Sequence, residues 1–321
     1  MPSVVAPDRN WTADRMPDQS GRCAVITGAN NGLGREAARA LAARGAEVVI
    51  ACRDTAKGEE AAGAIRAEVP GARLETLELD LASLDSVRTA ARRLRDDRSR
   101  IDLLINNAGV MTPPLGRTAE GFEQQFGVNH LAHFAFTGLL LDRILAAGDP
   151  RIVTVSSVAH RRGGLDFDDL HWRTRRYDRV AAYGQSKLAN LMFAYELQRR
   201  LQAAGETAVS VAAHPGVSRT GLFRHHSPVV RAAMGSALRP VNFWIAQTAE
   251  RGVLPLLYAA TETDVRGGRY YGPAGFGEFT GPPKLTDSNG RSHDSTAQRR
   301  LWQVSEELTG VTYPLAEPAS S

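Results

Sequence analysis

The stretch Cys23-Ala24-Val25-Ile26-Thr27-Gly28-Ala29-Asn30-Asn31-Gly32-Leu33-Gly34 combines a short apolar strand with a glycine-rich turn, and a helix is predicted to begin near Arg35. Glycine lets the chain turn sharply and lets the backbone approach a diphosphate without intervening Cβ atoms. The helix that follows points its free N–H groups and the positive end of its dipole at the same anion. The strand before the turn and the helix after it therefore predict a dinucleotide-binding site.

Further apolar runs of strand length alternate with helical patterns along the chain. The predicted strands are the run from Cys23 and the segments Glu47–Cys52, Leu74–Asp80, Ile101–Ile105, Arg151–Ser156 and Val209–Ala213. Such alternation predicts parallel strands joined by right-handed crossovers. We expect an α/β fold with one Rossmann-type domain over residues 21–321, in which a doubly wound sheet of about seven strands carries helices on both faces. Residues 1–20 are interpreted as a polar N-terminal lead-in and residues 290–321 as a C-terminal extension.

Composition limits the class of protein. With 43% hydrophobic residues, the 321-residue chain can bury one large core. No apolar run approaches the roughly 20 residues that span a bilayer, and residues 1–22 lack the apolar core of a signal peptide. Cys23 and Cys52 lie in predicted buried strands, which indicates free thiols in a reducing compartment. We therefore expect a cytoplasmic protein without a membrane span.

The charge pattern argues against a nucleic-acid-binding protein. The formal net charge is only +4, and the arginine clusters fall on predicted amphipathic helices and loops. Neither interleaved aromatics nor a recognised nucleic-acid motif accompanies them. The histidines His214, His225 and His226 have no acidic or cysteine partners at ligand spacing, so no metal site is predicted.

Small and polar residues follow three of the predicted strands. Asn106-Asn107-Ala108-Gly109 follows the fourth strand, Ser156-Ser157 ends the fifth, and the run from His214 to Thr220 follows the sixth. Ligands of doubly wound sheets bind beyond the carboxyl ends of the strands. These runs therefore predict one shared site at that edge of the sheet.

Tyr183 and Lys187 open a predicted helix that runs to about Leu201, and their spacing of four places them on one helix face. The chain has only three lysines among its 39 Lys and Arg residues, so an incidental Tyr–Lys pair at this spacing is improbable. A phenol has an unperturbed pKa of about 10, and a neighbouring ammonium stabilises the phenolate. The pair is therefore predicted to transfer protons, while Ser157 holds a substrate oxygen and a nicotinamide exchanges hydride.

This ordered set of motifs resembles the short-chain dehydrogenase/reductase family over roughly residues 22–220. The motifs are Thr27 to Gly34, Asp80, Asn106 to Gly109, Asn129, Arg151 to Ser157, Tyr183 with Lys187, and Pro215 to Thr220. The resemblance implies four catalytic residues. Tyr183 is implied as the acid/base, and Lys187 as the residue that lowers its pKa and contacts the nicotinamide ribose. Ser157 is implied to orient the substrate oxygen, and Asn129 to support a water relay.

The resemblance also implies a cofactor site. Its residues are Thr27, Gly28, Asn30, Asn31, Gly32, Leu33, Gly34, Arg53, Asp80, Leu81, Asn107, Ala108, Gly109, Tyr183, Lys187, Pro215, Gly216, Val217 and Thr220. NAD-specific Rossmann sites place an acid after the second strand, whereas an arginine accommodates the 2′-phosphate of NADP. Here that strand ends Ala51-Cys52-Arg53, with no acid before Asp54. NADP(H) is therefore predicted in preference to NAD(H).

Three shorter runs, Ala51–Asp54, Val158–His160 and Ser186–Asn190, resemble the retinol-dehydrogenase-like branch of the family, which includes the WW-domain-containing oxidoreductase. This resemblance implies interconversion of an alcohol and an aldehyde or ketone, and either a homodimer or a homotetramer. The alternative is a catalytically silent NADP(H)-binding redox sensor on the same fold. A sensor would not need an intact Tyr–Lys–Ser–Asn set.

Two apolar stretches bear on the small-molecule substrate. The stretch from Leu165 to Trp172 is either one wall of the substrate site or a surface excursion, and residues 221–250 are interpreted as a substrate lid or as core packing. If these stretches close over a ligand, the alcohol or carbonyl substrate is apolar.

Overall fold

An eight-stranded sheet organises the computed structural model, which describes residues 10–216 and 247–315. The strands are β1 (Cys23–Thr27), β2 (Glu47–Cys52), β3 (Arg73–Glu78), β4 (Leu103–Asn106), β5 (Arg151–Val155), β6 (Val209–Ala213), β7 (Tyr270–Pro273) and β8 (Pro283–Leu285). Their order is β3-β2-β1-β4-β5-β6-β7-β8, with β8 antiparallel to β7 and the other neighbours parallel. This is the predicted Rossmann-type arrangement, and its order reverses between β1 and β4, where such sheets bind ligands.

Helices cover both faces of the sheet. They are α1 (Gly32–Ala43), α2 (Thr55–Glu68), α3 (Leu84–Asp97), α4 (Gln124–Phe126), α5 (Ala132–Leu139), α6 (Leu141–Leu145), α7 (Arg179–Ala203), α8 (Ala249–Gly252), α9 (Leu254–Thr261) and α10 (Ser295–Thr309). A π-turn (Gly127–Leu131) separates α4 from α5. The 3₁₀ turns are Ala13–Arg15, Val158–Arg162, Phe276–Glu278 and Gly290–His293. In the described part of the chain, no helix is both long and apolar enough to cross a bilayer.

The central strands are apolar throughout because both of their faces are covered. Val25 and Val49 pack into one core cluster with residues of α3, α5 and α7. Their chain neighbours Ile26 and Ile50 pack into a second cluster with residues of α1 and α9. Successive side chains of a strand point to opposite faces, so one run of residues supplies both cores. The polar residues at the strand ends are then left at the edge of the sheet.

Some boundaries differ from those that the sequence predicted. α1 begins at Gly32 rather than near Arg35, because the last glycines of the turn already belong to the helix. α7 begins at Arg179, where Asp178 accepts the N–H groups of the first turn, so the helix starts before Tyr183. The sheet has eight strands rather than about seven, because β7 and β8 form a short antiparallel hairpin at its edge. β3 is more exposed than its neighbours, as predicted.

The described residues before β1 pack against the core. Trp11 is 4% exposed, and its indole N–H donates a hydrogen bond of 2.8 Å to the carboxylate of Glu262. Met16 is fully buried. This contact ties the segment that precedes the sheet to the loop after α9.

The helix α10 forms an outer layer over α5 and α7. The ring of Trp302 is 2% exposed and lies 5.0 Å from that of Phe134 and 4.5 Å from that of Tyr313, measured between centroids. The hydroxyl of Tyr313 donates to the backbone oxygen of Phe134 at 2.6 Å. The guanidinium of Arg200 lies 4.4 Å above the Trp302 ring. These aromatic contacts close the core on the α7 side of the sheet.

Candidate active site

Two glycines of the turn between β1 and α1, Gly28 and Gly34, have little room for a Cβ atom. Gly28 and Gly32 adopt left-handed backbone conformations, with φ of 67° and 53°. A Cβ atom added to Gly34 would lie 2.5 Å from the oxygen of Gly28 and 2.6 Å from the side-chain nitrogen of Asn107. Asn31 is the N-cap residue of α1, whose first N–H groups face the turn. The residues present therefore fit a diphosphate at this helix N-terminus.

The run after β4 is fastened to the same turn. The hydroxyl oxygen of Thr27 accepts the backbone N–H groups of Asn107 and Ala108, both at 2.9 Å. In return the side-chain amide of Asn107 donates to the backbone oxygen of Thr27 at 2.8 Å. The ends of β1 and β4 thus form one rigid unit beneath the proposed cofactor.

Arg53 and Asp54 differ in their contacts at the end of β2. Asp54 caps α2 by accepting the N–H of Lys57 at 3.2 Å, and its carboxylate pairs with the ammonium of the same lysine. Arg53 is exposed, and the described residues offer it no ion-pair partner. The acid is therefore engaged within α2, while the arginine side chain is available at the strand end.

Two further groups of predicted cofactor residues lie at the same edge. Asp80 follows β3, and its carboxylate accepts the N–H of Ala82 at 2.9 Å, while Leu81 is buried. After β6, Gly216 has a φ of 69°, and an added Cβ would lie 2.2 Å from the oxygen of Phe279. The remaining predicted contacts, Val217 and Thr220, the proposed lid at 221–250 up to residue 246, and the histidines His225 and His226 lie outside the described residues.

Tyr183 and Lys187 face each other on α7. Lys187 is 4% exposed, and its ammonium lies 5.7 Å from the centroid of the Tyr183 ring and donates to the backbone oxygen of Val155 at 3.0 Å. Burial lowers the pKa of Lys187 to about 8. Burial also raises the pKa of Tyr183 to about 12, and a hydrogen bond with the Ser157 hydroxyl offsets part of this. The net pKa of Tyr183 is therefore raised and not lowered, so the phenol keeps its proton at neutral pH.

The two serines at the end of β5 have different surroundings. Ser156 is buried, and its hydroxyl donates to the backbone oxygen of Lys187 at 2.8 Å, which anchors α7 to the sheet. The Ser157 hydroxyl accepts the N–H of Ala159 at 3.2 Å, and it offsets part of the rise in the pKa of Tyr183. Ser157 therefore lies where a substrate oxygen could contact both hydroxyls.

Asn129 lies in the π-turn and is fully buried. Its side-chain oxygen accepts the N–H of Val110 at 2.8 Å, and its side-chain nitrogen donates to the Val110 oxygen and to the Ser186 hydroxyl, both at 3.0 Å. A Cβ atom on Gly109 would lie 3.0 Å from the Asn129 side-chain oxygen and 3.6 Å from the Lys187 ammonium. Asn129 thus joins the loop after β4 to the helix that carries Tyr183. Single-turn π-elements of this kind are frequent at functional sites.

The stretch from Leu165 to Trp172 packs against the protein core. Leu170 and Trp172 are 5% and 7% exposed, and Leu165 and Phe167 are partly buried against the same core cluster. The side-chain amide of Gln185 donates to the backbone oxygen of Leu170 at 2.8 Å. These contacts place the stretch against the protein core and do not decide between a substrate wall and a surface excursion.

The sequence reasoning missed His133 and the β7–β8 hairpin. The ring of His133 is buried between Thr27 and the backbone of Asn129. Its spacing of four from Asn129 was the available signal, because such residues share a helix face. The hairpin gave no local signal, since its place beside Gly216 depends on pairing between distant strands.

A metal centre would need several side chains that could bind one ion together. Within residues 10–216 and 247–315, no group of three or more His, Cys, Asp or Glu side chains could hold a metal ion. His214 is buried beside Glu278, with its imidazole nitrogen 3.6 Å from the carboxylate.

Comparisons with known proteins show which family this chain resembles. A family model described as short chain dehydrogenase matches residues 22–228. Human retinol dehydrogenase 13 is 42% identical over 92% of this chain and 86% of its own length. Mouse polyprenol dehydrogenase is also 42% identical, with the same coverage. The crystal structure of an uncharacterized protein from Mycobacterium paratuberculosis, 44% identical, covers 95% of this chain and 99% of that one with a TM-score of 0.78.

The crowding at Gly34 generates a prediction for cofactor binding. Gly34→Ala should weaken NADPH binding at least about tenfold, because the new Cβ displaces the turn that receives the diphosphate. Gly63→Ala in α2 is the matched control, since a Cβ there meets no atom within 4 Å. Fluorescence titration of NADPH measures both variants. Binding within twofold of the parent in Gly34→Ala would contradict the assignment of this turn.

Proposed function

The chain belongs to the short-chain dehydrogenase/reductase family and is an oxidoreductase acting on CH–OH and C=O groups; we propose that it interconverts an apolar alcohol and its carbonyl with NADP(H). The observation that carries the proposal is the convergence of Tyr183, Lys187 and Ser157 at the sheet edge that also holds the glycine turn. When bound, the nicotinamide supplies or accepts hydride. The side chains of this protein would handle the proton.

In the reducing direction, Tyr183 is the proton donor. Its pKa of about 12 keeps the phenol protonated at neutral pH, so it can deliver the proton to a carbonyl oxygen that gains negative charge. Ser157 donates a second hydrogen bond to that oxygen and holds it near the phenol. Lys187 places a positive charge beside the ring and stabilises the phenolate left after transfer.

Asn129 holds in place the helix that carries Tyr183 and Lys187. Its bonds to Val110 and Ser186 fix α7 against the loop after β4, so that Tyr183 and Lys187 keep their positions relative to the cofactor turn. We propose that a water relay for the transferred proton passes beside Asn129. A catalytically silent sensor on this fold would not require that arrangement.

An apolar substrate is favoured by the relatives and by one loop. Retinol and polyprenol, the alcohols in the relatives' names, are lipophilic. In the β7–β8 hairpin, Phe276 is 94% exposed. The hairpin is held beside the site because the carboxylate of Glu278 accepts a 2.8 Å bond from Arg161, which lies in the 3₁₀ turn after Ser157. An aromatic ring at this position would cover apolar groups of a substrate.

A graded panel of aldehydes and ketones tests the function itself. NADPH consumption, followed by absorbance, should be seen, and KM should fall from short polar to long apolar carbonyls. Phe276→Ser should raise KM for the long members without changing the short ones. Tight NADPH binding without turnover of any panel member would favour the sensor, and a preference for small charged keto acids would contradict the apolar site.

Tyr183→Phe tests the proton donor. The change removes one hydroxyl and leaves the ring, so NADPH affinity should persist while kcat falls about a hundred- to ten-thousandfold. Tyr195→Phe on the same helix is the matched control, because its hydroxyl bonds to Ser288 instead. Turnover of Tyr183→Phe within a few-fold of the parent would place the proton donor elsewhere.

The buried ammonium predicts a pH dependence. Lys187 is charged below its pKa of about 8 and neutral above it, so carbonyl reduction should decline as the pH rises through about 8. Lys187→Arg keeps the charge to much higher pH, and the decline should move upward even if the rate is lower. Lys57→Arg in α2 should leave the profile unchanged. An identical decline in Lys187→Arg would assign it to another group.

Arg53 tests the cofactor preference. Arg53→Ala should weaken NADPH roughly ten- to a hundredfold and NADH less than about twofold, because only NADPH carries the 2′-phosphate that the guanidinium binds. Arg92→Ala, on an exposed face of α3, controls for the loss of one positive charge. Equal kcat/KM with both cofactors in the parent would overturn the preference.

A further inference from the structure

The hydroxyl of Thr27 can donate one hydrogen bond, and both lone pairs of its oxygen already accept hydrogen bonds. Its oxygen accepts the N–H groups of Asn107 and Ala108, both at 2.9 Å. Its proton must therefore go to another acceptor. The imidazole nitrogen Nε2 of His133 lies at 2.9 Å, and the backbone oxygen of Ile105 lies at 3.5 Å. The shorter distance makes His133 the acceptor.

This contact determines the tautomer of His133. Burial lowers the pKa of the ring to about 4, the hydrogen bond to Asn129 raises it, and the charge of Lys187 lowers it, so the ring is neutral at neutral pH. A neutral imidazole has one N–H and one bare nitrogen. Because Nε2 accepts from Thr27, the proton is on Nδ1, which lies 3.0 Å from the backbone oxygen of Asn129. His133 therefore donates to that carbonyl.

The backbone oxygen that His133 contacts belongs to Asn129, whose side chain bonds to Ser186 of α7. His133 is the second residue of α5, which directly follows the π-turn that contains Asn129. The side chain of Asn129 is bonded to Val110 and Ser186, so a rotation of its peptide would move both contacts. The His133 ring thus contacts the Asn129 peptide directly and can hold its orientation.

We propose that His133 is a positioning residue of the reaction: its Nδ1–H holds the Asn129 carbonyl, and Thr27 enforces the tautomer that makes this possible. The proposal rests on the proposed oxidoreductase function of the Tyr183–Lys187 site. It assigns no proton transfer to His133.

The chain provides a matched control in His130. This ring is equally buried, and burial lowers its pKa to about 3. Its Nε2 lies 2.9 Å from the hydroxyl of Ser305 in α10, so it serves the outer layer and not the site. Loss of either ring removes buried hydrogen bonding, but only the His133 ring bonds to the backbone oxygen of Asn129.

Three substitutions separate the two hydrogen bonds. His133→Asn places an amide N–H near the Nδ1 position and keeps the donor to Asn129, while the Thr27 hydroxyl can turn to the oxygen of Ile105. His133→Gln places its amide near Nε2 and loses that donor, and His133→Leu loses both bonds. The kcat per NADPH-binding site should stay within about threefold for Asn and fall roughly ten- to a hundredfold for Gln and Leu. KM and the NADPH dissociation constant should change little, and His130→Leu should lower only the melting temperature.

Amide hydrogen exchange gives a readout that does not depend on turnover. Exchange at residues 127–133 should be about tenfold faster in the Gln and Leu variants of His133 than in the parent or in His133→Asn. Equal kcat losses in the Asn and Gln variants, or losses that follow melting temperature alone, would overturn the proposal. If the parent binds NADPH but turns over no carbonyl, the proposed function fails. The positioning role of His133 is then tested by amide exchange alone, and equal exchange in all His133 variants would refute it.

Discussion

The ammonium of Lys187 is the constraint around which the site is built. A buried charge is costly unless hydrogen bonds replace its water, and here the carbonyl of Val155 at the end of β5 accepts from it. That bond requires α7 to lie close against the sheet, and Ser156 secures the contact by bonding to the Lys187 backbone. Gly109 lies beside the same group, and a Cβ atom there would press on the side-chain oxygen of Asn129 at 3.0 Å. The position of the Lys187 ammonium therefore depends on how α7 packs against the end of β5.

Local patterns in the sequence predicted most of the fold and the chemical groups of the site. The strands could be identified because apolar runs such as Glu47–Cys52 are buried on both faces, and the glycine turn because Gly34 has no room for a Cβ atom. Tyr183 and Lys187 were recognisable because a helix places residues four apart on one face. In each case the signal lies within a few residues of the feature.

The remainder depends on contacts between distant segments. The tautomer of His133 follows from Thr27, which lies on β1 and 106 residues earlier in the chain, and no periodicity encodes it. The role of the Leu165 to Trp172 stretch was left open between a substrate wall and a surface excursion, because its apolar residues do not reveal in the sequence what they pack against. The raised pKa of Tyr183 is likewise a result of burial in the folded protein, which the Tyr–Lys spacing alone does not reveal.

The layer formed by α10 has a consequence for biosynthesis. Tyr313 bonds to Phe134 across a sequence separation of 179 residues. At about 5 to 20 residues per second, a ribosome needs roughly ten to forty seconds to make the chain between them. The aromatic side of α5 is therefore synthesised well before the rings that cover it. The aromatic face of α5 and α7 therefore reaches its final packing only after α10 has emerged.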